Sequence, residues 1–234
     1  MIEEFKQALA ERYRLMEEQK AKGKKVVGWL CLYVPEEILH AAGAFPVRIM
    51  GGARDTPTAN SYLYSNNCSF VRNCLEQGLQ DHYRSLDGLV TFNTCDHIRR
   101  LFDVWKRYLR LPFMQVLSLP YKVTDSSVAY YRGELVRMKK GLEETFGVKI
   151  TDEALRESIA LYNRTRTLLK SLYELRKAES PPISGTEALQ VILAGMVMPR
   201  EEYNQCLERL LERLKGARGN HDGKIRLLLL GSEL

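Results

Sequence analysis

The chain lacks most of the features that settle a function at first sight. Its longest apolar runs, Val26–Val34 and Leu227–Leu230, fall well short of the roughly 20 residues that a membrane-spanning helix needs. The opening stretch, MIEEFKQALAERYRLMEEQKAKGKK, mixes acidic and basic side chains and has no apolar segment of the secretory kind. A cytoplasmic location without membrane contact is therefore expected. No CxxC pair occurs, which argues against zinc ribbons and thioredoxin-like redox sites. The cysteines number five, an odd count that speaks against a disulfide framework. No P-loop, GxSxG or HExxH pattern is present. Gly51–Gly52 is the nearest approach to a phosphate loop, so no ATP site is expected in this chain. Internal repeats and low-complexity tracts are missing as well.

What is there fits a globular protein with a core: 234 residues, 45% hydrophobic and 27% charged. The net charge of +6 raises the question of nucleic acid. The basic residues, however, alternate with acidic ones, as in Lys139, Lys140, Glu143 and Glu144, or Glu208, Arg209, Glu212 and Arg213. That is the pattern of solvated helix faces. No nucleic-acid partner is expected, and an acidic small ligand accounts for the charge equally well.

Patterning divides the chain into four stretches. Residues 1–23 carry apolar positions at helical spacing (Phe5, Leu9, Tyr13, Met16) and read as one amphipathic helix. Residues 24–120 alternate strand and helix. The expected strands lie at 25–32, 46–50, 88–92 and 113–118, with helices opening at Pro35, near Asn66–Asn67 and after Asn93–Thr94. Such βαβα alternation predicts a Rossmann-like parallel sheet flanked by helices. Residues 121–222 show only helical periodicity, broken at Gly147, at SPPISG and at Met198–Pro199. Residues 223–234, with KIRLLLLGSEL, read as the first strand of a second, truncated Rossmann-like domain. Leu227–Leu230 is expected to be an isolated strand on a partner or a disordered tail.

Two cysteines are placed alike. Cys68 follows Asn66–Asn67 and Cys95 follows the strand Leu89–Phe92, each at a predicted helix start. In open α/β sheets ligands bind at the carboxyl ends of the strands. Free backbone N–H groups and the helix dipole there favour negative charge and suit a thiolate-ligated iron–sulfur cluster. The other reading, two small buried hydrophobes at helix starts, fits the residues as well. Cys74 is six residues beyond Cys68 on the same predicted helix, hence about 120° around it, and reads as core. Cys31, within an apolar strand, and Cys206, beside Leu207, Leu210 and Leu211, read as core too. His97 and Arg99 either face a phosphate or thioester carbonyl or are solvated charges on a capped helix. His40, Glu36 and Glu37 either supply acid–base groups or, for the two glutamates, complement the helix dipole.

The segments VVGWLCLYVPEEILHAAGAFPVRIMGG, NNCSFVRNCLEQGL, LDGLVTFNTCDHIRRLFDVW and PPISGTEALQVILAGMVMPREEY resemble, in order, the signatures of the 2-hydroxyacyl-CoA dehydratase and benzoyl-CoA reductase subunits. The resemblance implies a longer protein with a second Rossmann-like domain from about Lys224. It implies a 4Fe–4S cluster ligated by Cys68, in the CSxxR segment, and by Cys95, in the CDxxRRLxDxW segment. The third protein ligand would come from the second domain. It also implies a homologous second subunit, an ATP-dependent iron–sulfur activator that delivers one electron, and an acyl-CoA substrate that loses its hydroxyl through a ketyl radical. His97, Arg99 and Glu37 are the candidates for substrate contact. In the cluster-and-substrate-binding subunits a small polar residue is expected before YVPEE and an acidic one near the end of the second strand. Here Leu32 and Met50 stand there. This points to an electron-relaying subunit or to another substrate. Two rivals are a relative that reduces small molecules with a different cluster and a non-catalytic scaffold.

Overall fold

A computed structural model describes residues 2–52, 55–217 and 219. Two short helices, α1 (Glu3–Ala10) and α2 (Arg12–Ala21), lead into strand β1 (Val26–Trp29). Helix α3 (Glu36–Ala41) and strand β2 (Phe45–Arg48) follow, then a 3-10 turn at Ala59–Ser61 and helix α4 (Ser69–Leu79). Strand β3 (Gly88–Phe92), helix α5 (Asp96–Tyr108) and strand β4 (Phe113–Leu117) complete the sheet. Four helices remain: α6 (Asp125–Phe146), α7 (Asp152–Leu175), α8 (Gly185–Ala194) and α9 (Arg200–Leu214).

The sheet runs β2-β1-β3-β4 and every pairing is parallel, with Gly28 opposite Val47 on one side and Leu89 on the other. The sequence-based expectation of a parallel, Rossmann-like sheet is met. Parallel strands covered on both faces have no solvated side to alternate toward. Accordingly β1 and β3 are buried at every residue, while the edge strand β4 alternates. At Gly28 a Cβ would come within 2.8 Å of Ile49 Cδ1, so close packing beneath the sheet requires glycine in this strand.

One face is covered by α2, α4 and α5, whose Met16, Val71, Cys74, Leu101 and Trp105 pack with Val47 and Leu89. The other is covered by α3 and α6, through Leu39, Met138 and Leu142 against Trp29, Val90 and Phe92. A third core joins α1 to α7, α8 and α9 around Phe5, Leu172, Val191, Tyr203 and Leu207.

Two expectations change. The N-terminal helix is two helices meeting at Glu11, because Phe5 and Ala8 belong to the helical core whereas Met16 belongs to the sheet core. The first strand ends at Trp29, and Cys31 lies outside it, in a turn with φ +70°. The stretch after β4 is helical, as expected; α6 lies on β4, and α7 to α9 share the helical core. The strand expected at Leu227–Leu230 lies outside the described residues.

Candidate functional site

Strand order reverses between β1 and β3: the chain leaves β1 toward β2 and leaves β3 toward β4. At such a switch point the outgoing turns diverge and leave a crevice beyond the carboxyl ends of the strands. A cleft of about 610 Å³ occupies this place, lined by Cys31–Tyr33 after β1, Asn93–Cys95 after β3 and Leu119–Tyr121 after β4. Leu32, Tyr33 and Tyr121 are exposed at 57%, 54% and 96%, an apolar and aromatic wall left open to solvent.

Cys68 and Cys95 are the N-cap residues of α4 and α5, both in extended backbone conformation and both exposed. Neither side chain makes a capping hydrogen bond. The first-turn N–H groups beside each thiol are therefore not satisfied by it, and they favour an anion. The two turns meet through side chains: His97 Nδ1 lies 3.1 Å from Asn67 Oδ1, one residue before Cys68 and two after Cys95. Arg99, in the same first turn of α5, is exposed and pairs with Asp96 at 3.0 Å.

Cys31 also belongs to the cleft, with its Sγ 3.0 Å from Thr94 Oγ1. It is buried in the sheet core, as the sequence pattern predicts; what the pattern does not show is that it lies just past the strand and borders the cleft. Cys74 and Cys206 are core as well, as expected. Cys74 is wholly buried, and Cys206 sits beneath Arg209 with burial pushing its thiol up to about 11.

The carboxylates at the start of α3 are engaged elsewhere. Glu37 accepts from Arg166 of α7, and Glu36 from Arg200 of α9 at 2.9 Å. Burial raises the Glu36 pKa even against the adjacent guanidinium. Arg200 also lies 4.3 Å from the Tyr162 ring centroid. His40 bridges Ser158, through Nδ1, and Glu201, through Nε2, each at 3.1 Å. This seam ties α3 to the helical core, and none of its residues lines the cleft.

Two exposed thiols at neighbouring helix starts fit part of a thiolate donor set for an iron–sulfur cluster. Among the described residues no group of three or more His, Cys, Asp or Glu could hold a metal ion. No described helix is long and apolar enough to cross a membrane.

The family model of the 2-hydroxyglutaryl-CoA dehydratase D-component matches residues 31–234. One of the subunits of the benzoyl-CoA reductase of Thauera aromatica is 34% identical over 89% of this chain and 55% of its own length. The beta subunit of (R)-2-hydroxyglutaryl-CoA dehydratase from Acidaminococcus fermentans is 29% identical over 95% of this chain and 60% of its own. The (R)-phenyllactyl-CoA dehydratase beta subunit of Clostridium sporogenes is 26% identical, over 86% and 54%. The chain thus spans little more than half the length of these relatives. With the family match covering most of its residues, the chain belongs to the 2-hydroxyglutaryl-CoA dehydratase D-component family.

Proposed function

We propose that this chain provides Cys68 and Cys95 as ligands of a 4Fe–4S cluster in a subunit of a 2-hydroxyacyl-CoA dehydratase. The observation that carries the reading is the pair of exposed, uncapped cysteines at helix starts joined by the His97–Asn67 contact, of which Cys95 lines the cleft where the strand order reverses. When bound, such a cluster supplies a low-potential electron to a CoA thioester. The chain's own residues hold and shield it. The free N–H groups of α4 and α5 offset the negative charge of the thiolates. Leu32, Tyr33, Leu119 and Tyr121 form the wall that keeps water from the acyl group. His97 and Arg99 are assigned to the phosphate or thioester oxygen at the mouth of the cleft. Glu37, held by Arg166, is assigned no contact with substrate.

The third protein ligand is assigned to residues outside those described, as the greater length of the relatives allows. Some of these relatives are named as beta subunits. That supports a partner subunit here; its homology to this chain and a separate ATP-dependent activator that recharges the pair are part of the proposal. A second reading, reduction of an aromatic acyl-CoA, is favoured by the aromatic wall and by the likeness to a benzoyl-CoA reductase subunit.

The test is anaerobic reconstitution of the full-length protein with iron and sulfide, followed by electron paramagnetic resonance. Cys68→Ala and Cys95→Ala should abolish or convert the 4Fe–4S signal. Cys74→Ala and Cys206→Ala should leave it intact, and so should Cys31→Ala. A wild-type protein that binds no iron would sink the proposal.

A further inference from the structure

The two cysteine-bearing turns belong to different crossovers, and among the described residues no backbone hydrogen bond joins them. What joins them is the contact of His97 with Asn67. The orientation of the asparagine is settled on its other side: Asn67 Nδ2 donates to the Tyr64 carbonyl at 3.1 Å. Oδ1 is thus the atom turned toward His97, and since an amide oxygen only accepts, the imidazole donates its Nδ1 proton. Asn67 is buried beside an exposed Cys68. A buried amide with both ends engaged has little freedom, and the residue after it inherits that constraint. On the other turn His97 lies in the first turn of α5, two residues after the N-cap position that Cys95 occupies.

We propose that His97 is a positioning residue: through its Nδ1–H to Asn67 Oδ1 it holds the turns of Cys68 and Cys95 in register, so that both thiols can bind one bidentate, thiol-seeking group. This rests on reading Cys68 and Cys95 as a pair, which the test separates from iron binding. With Nδ1 engaged, Nε2 is the ring nitrogen left to meet a substrate. The Cys95 turn is tied to the end of β1 as well, where Thr94 Oγ1 lies 3.0 Å from Cys31 Sγ.

The experiment uses the full chain and dibromobimane, which fluoresces once both its bromides are displaced by thiols; the bridged peptides are then identified by mass spectrometry. His97→Leu removes the donor at similar bulk, whereas His97→Gln keeps an N–H donor. The yield of the Cys68–Cys95 bridge should fall about three- to tenfold in His97→Leu, the range that loss of one hydrogen bond between neutral groups allows. It should return toward wild type in His97→Gln, with circular dichroism and thermal midpoint little changed in either variant. Equal bridging in His97→Leu and wild type overturns the proposal, as does a wild-type chain that forms no such bridge. If bridging depends on His97 while the full-length protein binds no iron, the strut stands and the cluster reading falls.

Discussion

The helix starts of α3 and of the α4–α5 pair carry ionisable groups at comparable places and treat them oppositely. At α3 two carboxylates arrive in the first turn and each meets an arginine from the later helices, Arg200 of α9 for Glu36 and Arg166 of α7 for Glu37. At α4 and α5 two thiols arrive at the caps, stay exposed and cap nothing. The first arrangement is saturated, so its groups hold the molecule together. The second leaves helix-end donors and thiols open, which is the arrangement the proposed site needs. Position at a helix start does not separate structure from function; what answers the group does.

The largest expected effect tests the saturated side. Arg200→Met leaves Glu36 buried without its partner and should cost about 3–5 kcal/mol in denaturant unfolding, the usual consequence of breaking a buried ion pair from one side. Replacing both, Arg200→Met with Glu36→Met, should recover much of that loss. If the single variant unfolds like wild type, the seam is not what holds α3 to α9.

A smaller effect comes from a helix start that is capped in full. Ser184 and Glu187 form a capping box at α8: the Glu187 N–H donates to Ser184 Oγ at 3.2 Å, and the Ser184 N–H donates to the Glu187 carboxylate at 3.0 Å. Ser184→Ala should cost about 1 kcal/mol at neutral pH. The bonds from the Ser184 N–H and hydroxyl hold the Glu187 pKa below its ordinary 4.5. A depressed folded value stabilises above the unfolded one, and that stability is lost as pH falls through the folded value. The gap between wild type and Ser184→Ala should therefore narrow when unfolding is measured well below pH 4.5. A gap that widens on acidification would contradict this account.

The smallest effect has the opposite sign and bears on the open side. Serine caps helices better than cysteine, so Cys68→Ser and Cys95→Ser should each stabilise the chain, by about 0.5 kcal/mol, while removing a proposed ligand. A thermal scan of the metal-free variants reads this directly. Destabilisation in both would mean that the thiols serve packing, and the contrast with α3 would lose its meaning.

Much of the fold was legible because it rests on local chemistry. Phe113–Leu117 and Gly88–Phe92 announced themselves by β-branched and aromatic runs between turn residues. Thr124, Thr151 and Ser184 open their helices with side-chain caps, and Gly147 ends α6 with a left-handed backbone. The break at Glu11 was not legible, since apolar spacing continues through it and only the burial of Phe5 and Met16 in different cores divides the helix. Nor was the place of Cys31: an apolar residue after a strand looks the same in the strand and in the turn.

By itself the sequence determined the order of strands and helices, the parallel class of the sheet and the arrival of Cys68 and Cys95 at helix starts. Each of these follows from periodicity, capping chemistry and crossover length within a few dozen residues. Only the tertiary structure decided which polar groups are answered. Glu37 and Arg166 are 129 residues apart in the chain, Glu36 and Arg200 are 164, and Asn67 and His97 are 30. Pairings at such separations depend on how helices are set against the sheet, through contacts that no local pattern encodes. Among the described residues, closure of those pairs leaves the two thiols open at their end of the sheet.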